Sequence, residues 1–363
     1  MIIFYFIYFI YFISVACTLV INRNTKLIQI YFLIIFLISH FILIGFRDYS
    51  SGTDTITYLY SYDLLRHGVN FLDFEIFFTW LLELFVFLSL DGREFILAIS
   101  FFYSLFLIFI YRRFSGSTGL VVVFGLVSGA TFFDLETNGL RQGLAIFLAI
   151  LGMLYFRGLY VILILVAAGL FHYSTFIILA FYLFGEISFL REKLALQRIS
   201  FFVLILLIAA VFGFNFIGLS SFSFLVSDVQ ILEKFITYTD SNSPASYESQ
   251  SFFGRLPFFF SCTAVIFCFI WKSKSLTPDF FRIYFIFLLS IIFYYFVASM
   301  GYSYRWTYFP LIISPVLIGI FLEGLKSNVV RVRLSILILV IYFSWSTYDV
   351  WTKIFNWKTN VLF

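Results

Sequence analysis

Apolar runs separated by short polar breaks repeat from one end of this chain to the other. A helix rises about 1.5 Å per residue, so about 20 apolar residues are what a hydrocarbon layer of roughly 30 Å demands. On that measure the pattern predicts spans at 2–21, 27–46, 95–111, 119–134, 139–156, 159–171, 174–184, 199–219, 256–271, 280–299, 306–323 and 334–351. The pieces 159–171 and 174–184 are short and also read as one helix broken around Phe171 and His172. The run 71–90 is interrupted by Asp73, Glu75 and Glu83, as a re-entrant or interfacial segment would be. The expected fold is an all-α polytopic membrane protein of about 12 transmembrane helices, in a range of about 11–14, with short re-entrant or broken pieces. A single domain over residues 1–363 is expected. The first run has no basic residue ahead of it and no small-residue cleavage signal behind it, and reads as a retained helix rather than a removed signal.

Basic clusters orient these spans. Arg23 with Lys26, Arg112 with Arg113, Arg157, the 191–198 segment, Lys272 with Lys274, and the 326–333 segment mark the cytoplasmic side. Alternation then places 47–70, the turn near Asn138, the surroundings of His172, and segments 220–255 and 301–305 on the opposite side. The count closes if 71–90 enters and leaves on that outer side, or if one cluster breaks the rule. The 220–255 stretch, with an amphipathic section around 228–238 followed by TDSNSPASYESQS, reads as an extracytoplasmic loop.

Composition strengthens this picture. The 363 residues are 63% hydrophobic and 12% charged, a balance that excludes a soluble globular domain. The net charge of +4 comes from topology clusters and does not describe a nucleic-acid surface. Cys17, Cys262 and Cys268 lie in apolar runs without metal-type spacing, so no disulfide, metal or cofactor is expected. The 56 Phe and 24 Tyr are accounted for by lipid-facing helix, which Phe satisfies as well as Leu.

Against this background a few polar residues stand out. A charge near a bilayer centre costs roughly 2.5–3.5 kcal/mol on insertion scales, so it needs a cavity, a partner or water. Asn138, Gly139, Leu140, Arg141, Gln142 and Gly143 open an apolar helix. The two glycines share one face suited to close packing, with Asn138 and Arg141 roughly opposite. An arginine there suits a phosphate or pyrophosphate, since its fork bonds bidentately and a helix N-terminus adds positive potential. It could instead pair with Asp134 or Glu136 as structural glue. His172, followed by Ser174, is a candidate for proton transfer, with an interhelical structural bond as the alternative. His40, within LISHF, has no polar company in the sequence and reads as structural.

The segment FRDYSSGTD supplies Arg47 for phosphate and Asp54 for a cation or a sugar hydroxyl, or a capped turn with Thr53 or Asp54 as N-cap. Arg305, among Tyr302, Tyr304 and Trp306, sits on the outer side against the positive-inside tendency.

In order, FRDYSSGTDTITY, FEIFFTWLLELF, NGLRQGLAIFLAILGMLYF and AAGLFHYSTFIILAFYLF resemble the EpsG-like branch of Wzy-type bacterial polysaccharide polymerases. The matching residues are Arg47, Gly52, Thr53, Asp54, Asn138, Arg141, Gln142, His172 and Ser174, across roughly 45–185, with Arg305 similar in setting. Thr55 departs from the pattern, which has an aromatic there. The resemblance implies a GT-C-like polymerase architecture in the bacterial cytoplasmic (inner) membrane. It also implies transfer of a growing glycan from undecaprenyl pyrophosphate to a lipid-linked repeat unit on the outer face, yielding O-antigen, capsule or exopolysaccharide. On that reading Arg141 and Arg305 bind pyrophosphate, and His172 or Asp54 handles the proton. Arg47, Thr53, Asn138, Gln142 and Ser174 then contact substrate. Lipid-linked oligosaccharide repeat units are the implied partners, with a chain-length regulator and a flippase in the same membrane.

Three rivals share the composition: a lipid-linked-oligosaccharide flippase or transporter, a membrane acyltransferase, and a structural membrane protein. A transporter predicts repeated halves, and no internal repeat is visible. The shared outer compartment is testable by substituted-cysteine labelling. Cysteines at positions 141 and 172, in a background without the three native cysteines, are expected to react with an impermeant maleimide from the exterior only. Labelling from opposite faces would dissolve the shared compartment.

Overall fold

The computed structural model describes residues 2–20, 26–47, 54–69, 74–114, 116–185, 193–211, 252–272, 278–297, 303–325, 327–342 and 344. Among these described residues all regular structure is helical. The first elements are α1 (Ile2–Val20), α2 (Lys26–Gly45), α3 (Thr55–Arg66), α4 (Ile76–Phe87), α5 (Gly92–Arg113), α6 (Gly116–Val127), α7 (Ala130–Thr137) and α8 (Leu140–Tyr155). Then come α9 (Leu159–Phe171), a 3-10 turn (Tyr173–Thr175), α10 (Phe176–Phe184), α11 (Lys193–Val211), α12 (Phe252–Lys272) and α13 (Pro278–Val297). A second 3-10 turn (Ser303–Thr307), α14 (Tyr308–Glu323) and α15 (328–342) complete them. Of the predicted 220–255 loop, 220–251 lie outside the described residues, and 252–255 are the helical start of α12.

Among the described residues four helical stretches are long and apolar enough to cross a membrane: Leu27–Gly45, Gly92–Arg113, Phe280–Val297 and Tyr304–Glu323. The run expected as one span at 119–134 is two helices, α6 and α7, bent by 66°. Gly129 lies in extended backbone as the N-cap of α7, and the Ser128 hydroxyl turns back to Gly125 O at 3.2 Å. The break expected around Phe171 and His172 is present. His172 is extended (φ −158°, ψ 115°), so α9 ends at Phe171 and the helix resumes only at Phe176. In the ambiguous 71–90 run, α4 has 12 residues, about 18 Å of helix against a hydrocarbon core of roughly 30 Å.

The chain forms two compact units, Met1–Leu179 with Leu322–Phe363, and Ala180–Phe321. Within the first, α5 packs against α2, α3, α6, α7 and α8. Its start is fixed by a capping box: Asp91 accepts from the Arg93 and Glu94 amides at 2.7 and 2.8 Å, and Glu94 accepts from the Asp91 amide at 2.7 Å. From that same turn Arg93 donates to Gly45 O at 3.1 Å and Arg47 O at 2.7 Å, supplying donors to the end of α2.

Deeper in the same unit, Phe106 and Phe132 stack on Phe147 while Tyr103 meets it edge-on. The fully buried Tyr103 hydroxyl donates to Leu135 O at 2.6 Å and lies 3.3 Å from Leu140 O, clamping the end of α7 to the start of α8. Gly143 leaves the room for that ring. In the second unit α11 packs on α12 and α13, where Phe269 stacks on Tyr284 at 4.1 Å and Ser200 Oγ lies 2.8 Å from the Tyr284 hydroxyl.

A methyl group at Gly143 would fall 2.1 Å from Tyr103 Oη and 3.0 Å from Leu135 Cβ. Gly143→Ala is therefore expected to lower the melting temperature of the detergent-solubilised protein through a loss of about 1–3 kcal/mol. Gly129→Ala, where the nearest atom is 3.7 Å away, is the control and should stay within about 0.5 kcal/mol of wild type.

Candidate functional site

The turn between α7 and α8 is closed by its own backbone, the Asn138 and Gly139 amides both donating to Asp134 O at 2.7 and 2.9 Å. With Tyr103 holding both flanks, Arg141 is fixed as the second residue of α8. The Asn138 side chain donates to Asp134 Oδ1 at 2.6 Å and accepts from the Asp54 amide at 3.4 Å. Beside it the Thr55 hydroxyl donates to Thr137 O at 2.8 Å. These bonds latch the start of α3, and with it Asp54, onto the same turn. Asp54 is the N-cap of α3 by position, without a side-chain capping bond.

Arg141 makes its principal contact with Glu75, the residue before α4. One guanidinium nitrogen, Nη1, donates to Glu75 Oε2 in a partly buried ion pair. Its Nε donates to the Tyr58 hydroxyl at 3.4 Å, and its plane lies 4.7 Å from the Phe74 ring centroid. The other oxygen of the same carboxylate, Oε1, lies 2.8 Å from His172 Nδ1. Glu75 thus joins the opening of α8 to the break after α9, and only 7% of its side chain is exposed. Burial alone would raise its pKa. The His172 hydrogen bond and the Arg141 charge outweigh that and hold the carboxyl at about 2, well below its usual 4.5.

The remaining sequence candidates divide. Arg47 is buried, with Nη1 donating to Ile44 O at 2.9 Å and Nη2 facing the Thr55 hydroxyl at 3.5 Å, so part of its donor capacity closes α2. Gln142 is buried in α8, and Ser174 is half-buried in the 3-10 turn directly after His172. Arg305 is half-buried in the turn Ser303–Thr307 of the second unit. Thr53 lies outside the described residues.

Two expectations are corrected. Arg141 pairs with Glu75 rather than with Asp134 or Glu136. His40 does have polar company: its Nε2 lies 2.9 Å from Glu136 Oε1, with 2% and 1% of the side chains exposed. Glu75, Tyr58 and Phe74 were absent from the sequence candidates. The available signal was Glu75 itself, a carboxylate just ahead of an apolar run, which in lipid surroundings requires a cation.

An arginine, a carboxylate and a histidine held together where apolar helices begin and break define a membrane-embedded protein with a polar site. The chain belongs to the EpsG family, whose model matches residues 29–359; this is the family of Wzy-like polysaccharide polymerases. No curated protein and no solved structure matches the chain.

The acidity of Glu75 gives a pH signature. Because its folded value is depressed, its stabilising contribution is complete above about 4.5 and is lost as pH falls from there toward about 2. Between pH 6 and 3 the melting temperature of wild type should therefore fall more steeply than that of Glu75→Gln, which has no proton to take up there. The difference is expected to reach a few kcal/mol, and parallel curves in a thermal-shift titration would refute the ionised pair.

Proposed function

We propose that the protein polymerises polysaccharide by transferring a growing glycan from undecaprenyl pyrophosphate to a hydroxyl of an incoming lipid-linked repeat unit, on the outer face of the cytoplasmic membrane. Family membership supports a polymerase-like role in polysaccharide biosynthesis. The observation that carries the finer reading is the convergence of Arg141 and His172 on one carboxylate.

Such a reaction has two electrostatic demands. Charge develops on the departing pyrophosphate, and a hydroxyl must lose its proton as it attacks. Arg141 is suited to the first. Beyond the bonds to Glu75 and Tyr58, its other N–H groups have no hydrogen bond among the described residues, so they can meet phosphate oxygens. His172 is suited to the second, with one ring nitrogen on Glu75 and the other left to exchange a proton. This geometry favours His172 over Asp54 as the base. Asp54, carried on the same turn as Asn138, is assigned to sugar contact. Arg305 keeps a phosphate-binding assignment on its sequence setting alone.

In the source bacterium His172→Ala and Arg141→Ala are expected to abolish polymer while a single translocated lipid-linked repeat accumulates, a loss of roughly 100-fold or more in chain extension. Electrophoresis of the glycan and mass analysis of the lipid fraction read both. Full-length glycan from both variants would remove the assignment. An untranslocated repeat in a deletion strain would point to a flippase instead.

A further inference from the structure

Neither hydrogen bond of Glu75 is explained by the packing of the helices it joins. The apposition of α4 and α9 is already made by apolar contact, Phe77 meeting Phe171 edge-on with ring centroids 5.7 Å apart. Arg141 is also held by Tyr58 and by the Phe74 face. What the carboxylate adds is chemical. An ionised carboxylate only accepts hydrogen bonds, so His172 must present Nδ1–H to it, and this tautomer leaves the Nε2 lone pair as the sole proton acceptor of the ring. Nε2 has no hydrogen-bond partner among the described residues, and the His172 side chain is 20% exposed.

We infer that Glu75 is a positioning residue for the polymerisation step, fixing the His172 ring so that Nε2 takes the proton of the acceptor hydroxyl. The inference rests on the polymerase reading above. In that step the acceptor oxygen forms a bond to the anomeric carbon of the donor glycan as its proton passes to Nε2. The bond from that carbon to the pyrophosphate oxygen breaks, and its electron pair leaves on the lipid pyrophosphate. The imidazolium so formed lies against the Glu75 carboxylate, which stabilises it until the proton is returned to water. Without the carboxylate the ring is free to rotate or to carry its proton on Nε2, and then nothing receives the hydroxyl proton.

The test uses the purified full-length protein and lipid-linked repeat units extracted from a strain lacking this polymerase, with radiolabelled polymer as the readout. Glu75→Asp keeps the charge and shortens the reach; Glu75→Gln keeps the shape and loses the charge. Expected rates fall about 10-fold in the first and about 100-fold or more in the second. A role in packing alone predicts the reverse order, and a rate for Glu75→Gln equal to or above that of Glu75→Asp would overturn the inference. The two residues should also act as a unit. On a His172→Ala background, Glu75→Gln is expected to lower the residual rate no further, whereas a loss as large as in wild type would count against it. Were Glu75→Gln to unfold, Glu75→Asp takes its place in this cycle: slower than Glu75 beside His172, equal to it beside alanine. If wild type itself makes no polymer from these units, the functional reading fails and the inference falls with it. If wild type polymerises and the order is reversed, the inference alone falls.

Discussion

A single carboxylate with both oxygens committed, one to a guanidinium and one to an imidazole, is the constraint on which the polar site depends. Desolvating an ion costs several kcal/mol, and that cost is offset only where geometry is good and the remaining lone pairs are satisfied. Glu75 meets the condition by bonding two partners from different helices. Arg141 meets it by adding Tyr58 and the Phe74 face. Removing Arg141 or His172 would leave the buried Glu75 carboxylate short of a partner, so the three form one unit rather than three independent features.

The apolar architecture serves this unit by holding irregular backbone where regular helix would not place it. Both the α7–α8 turn and the extended residue after α9 interrupt a hydrophobic run, and each interruption frees backbone groups that need partners. Tyr103 supplies one solution from the centre of α5, reaching carbonyls on both sides of the turn. Arg93 supplies another at the end of α2, with Arg47 turned inward beside it. These donors explain why so many of the polar residues of the first unit are buried and yet bonded to main chain. The His40–Glu136 hydrogen bond extends the same logic, placing a polar contact between α2 and α7 amid Phe36 and Phe132.

Hydropathy was enough to find most of the apolar helices, because their runs are long and their breaks polar; the more polar α3 was not among the predicted spans. The break at His172 and the shortness of the 71–90 segment were visible for the same reason. The bend between α6 and α7 was not, since Val127, Ser128 and Gly129 interrupt hydropathy too weakly to register beside their neighbours. The candidate residues Arg141 and His172 were legible as costly polar groups in apolar surroundings, and their motifs carried the family resemblance. Their shared partner was not legible. Glu75 lies far from both along the chain, and a pairing that depends on three helices leaves no local spacing to read. For Arg141 the nearby carboxylates Asp134 and Glu136 were the natural guesses. In the structure they are bonded to Asn138 and to His40. Arg47, a cation whose sequence setting suggested a ligand, commits part of its guanidinium to main chain at a helix end.

The first compact unit is discontinuous, gathering residues 1–179 and then 322–363. A ribosome emits the chain from one end, so this unit is still missing its last pieces while all of 180–321 is being made. Nascent α1–α9 are therefore synthesised well before α15, which belongs to the same unit. The bonded members of the Glu75 cluster, Tyr58, Glu75, Arg141 and His172, all emerge before residue 180, so the polar contacts can close while the unit that holds them is still being completed.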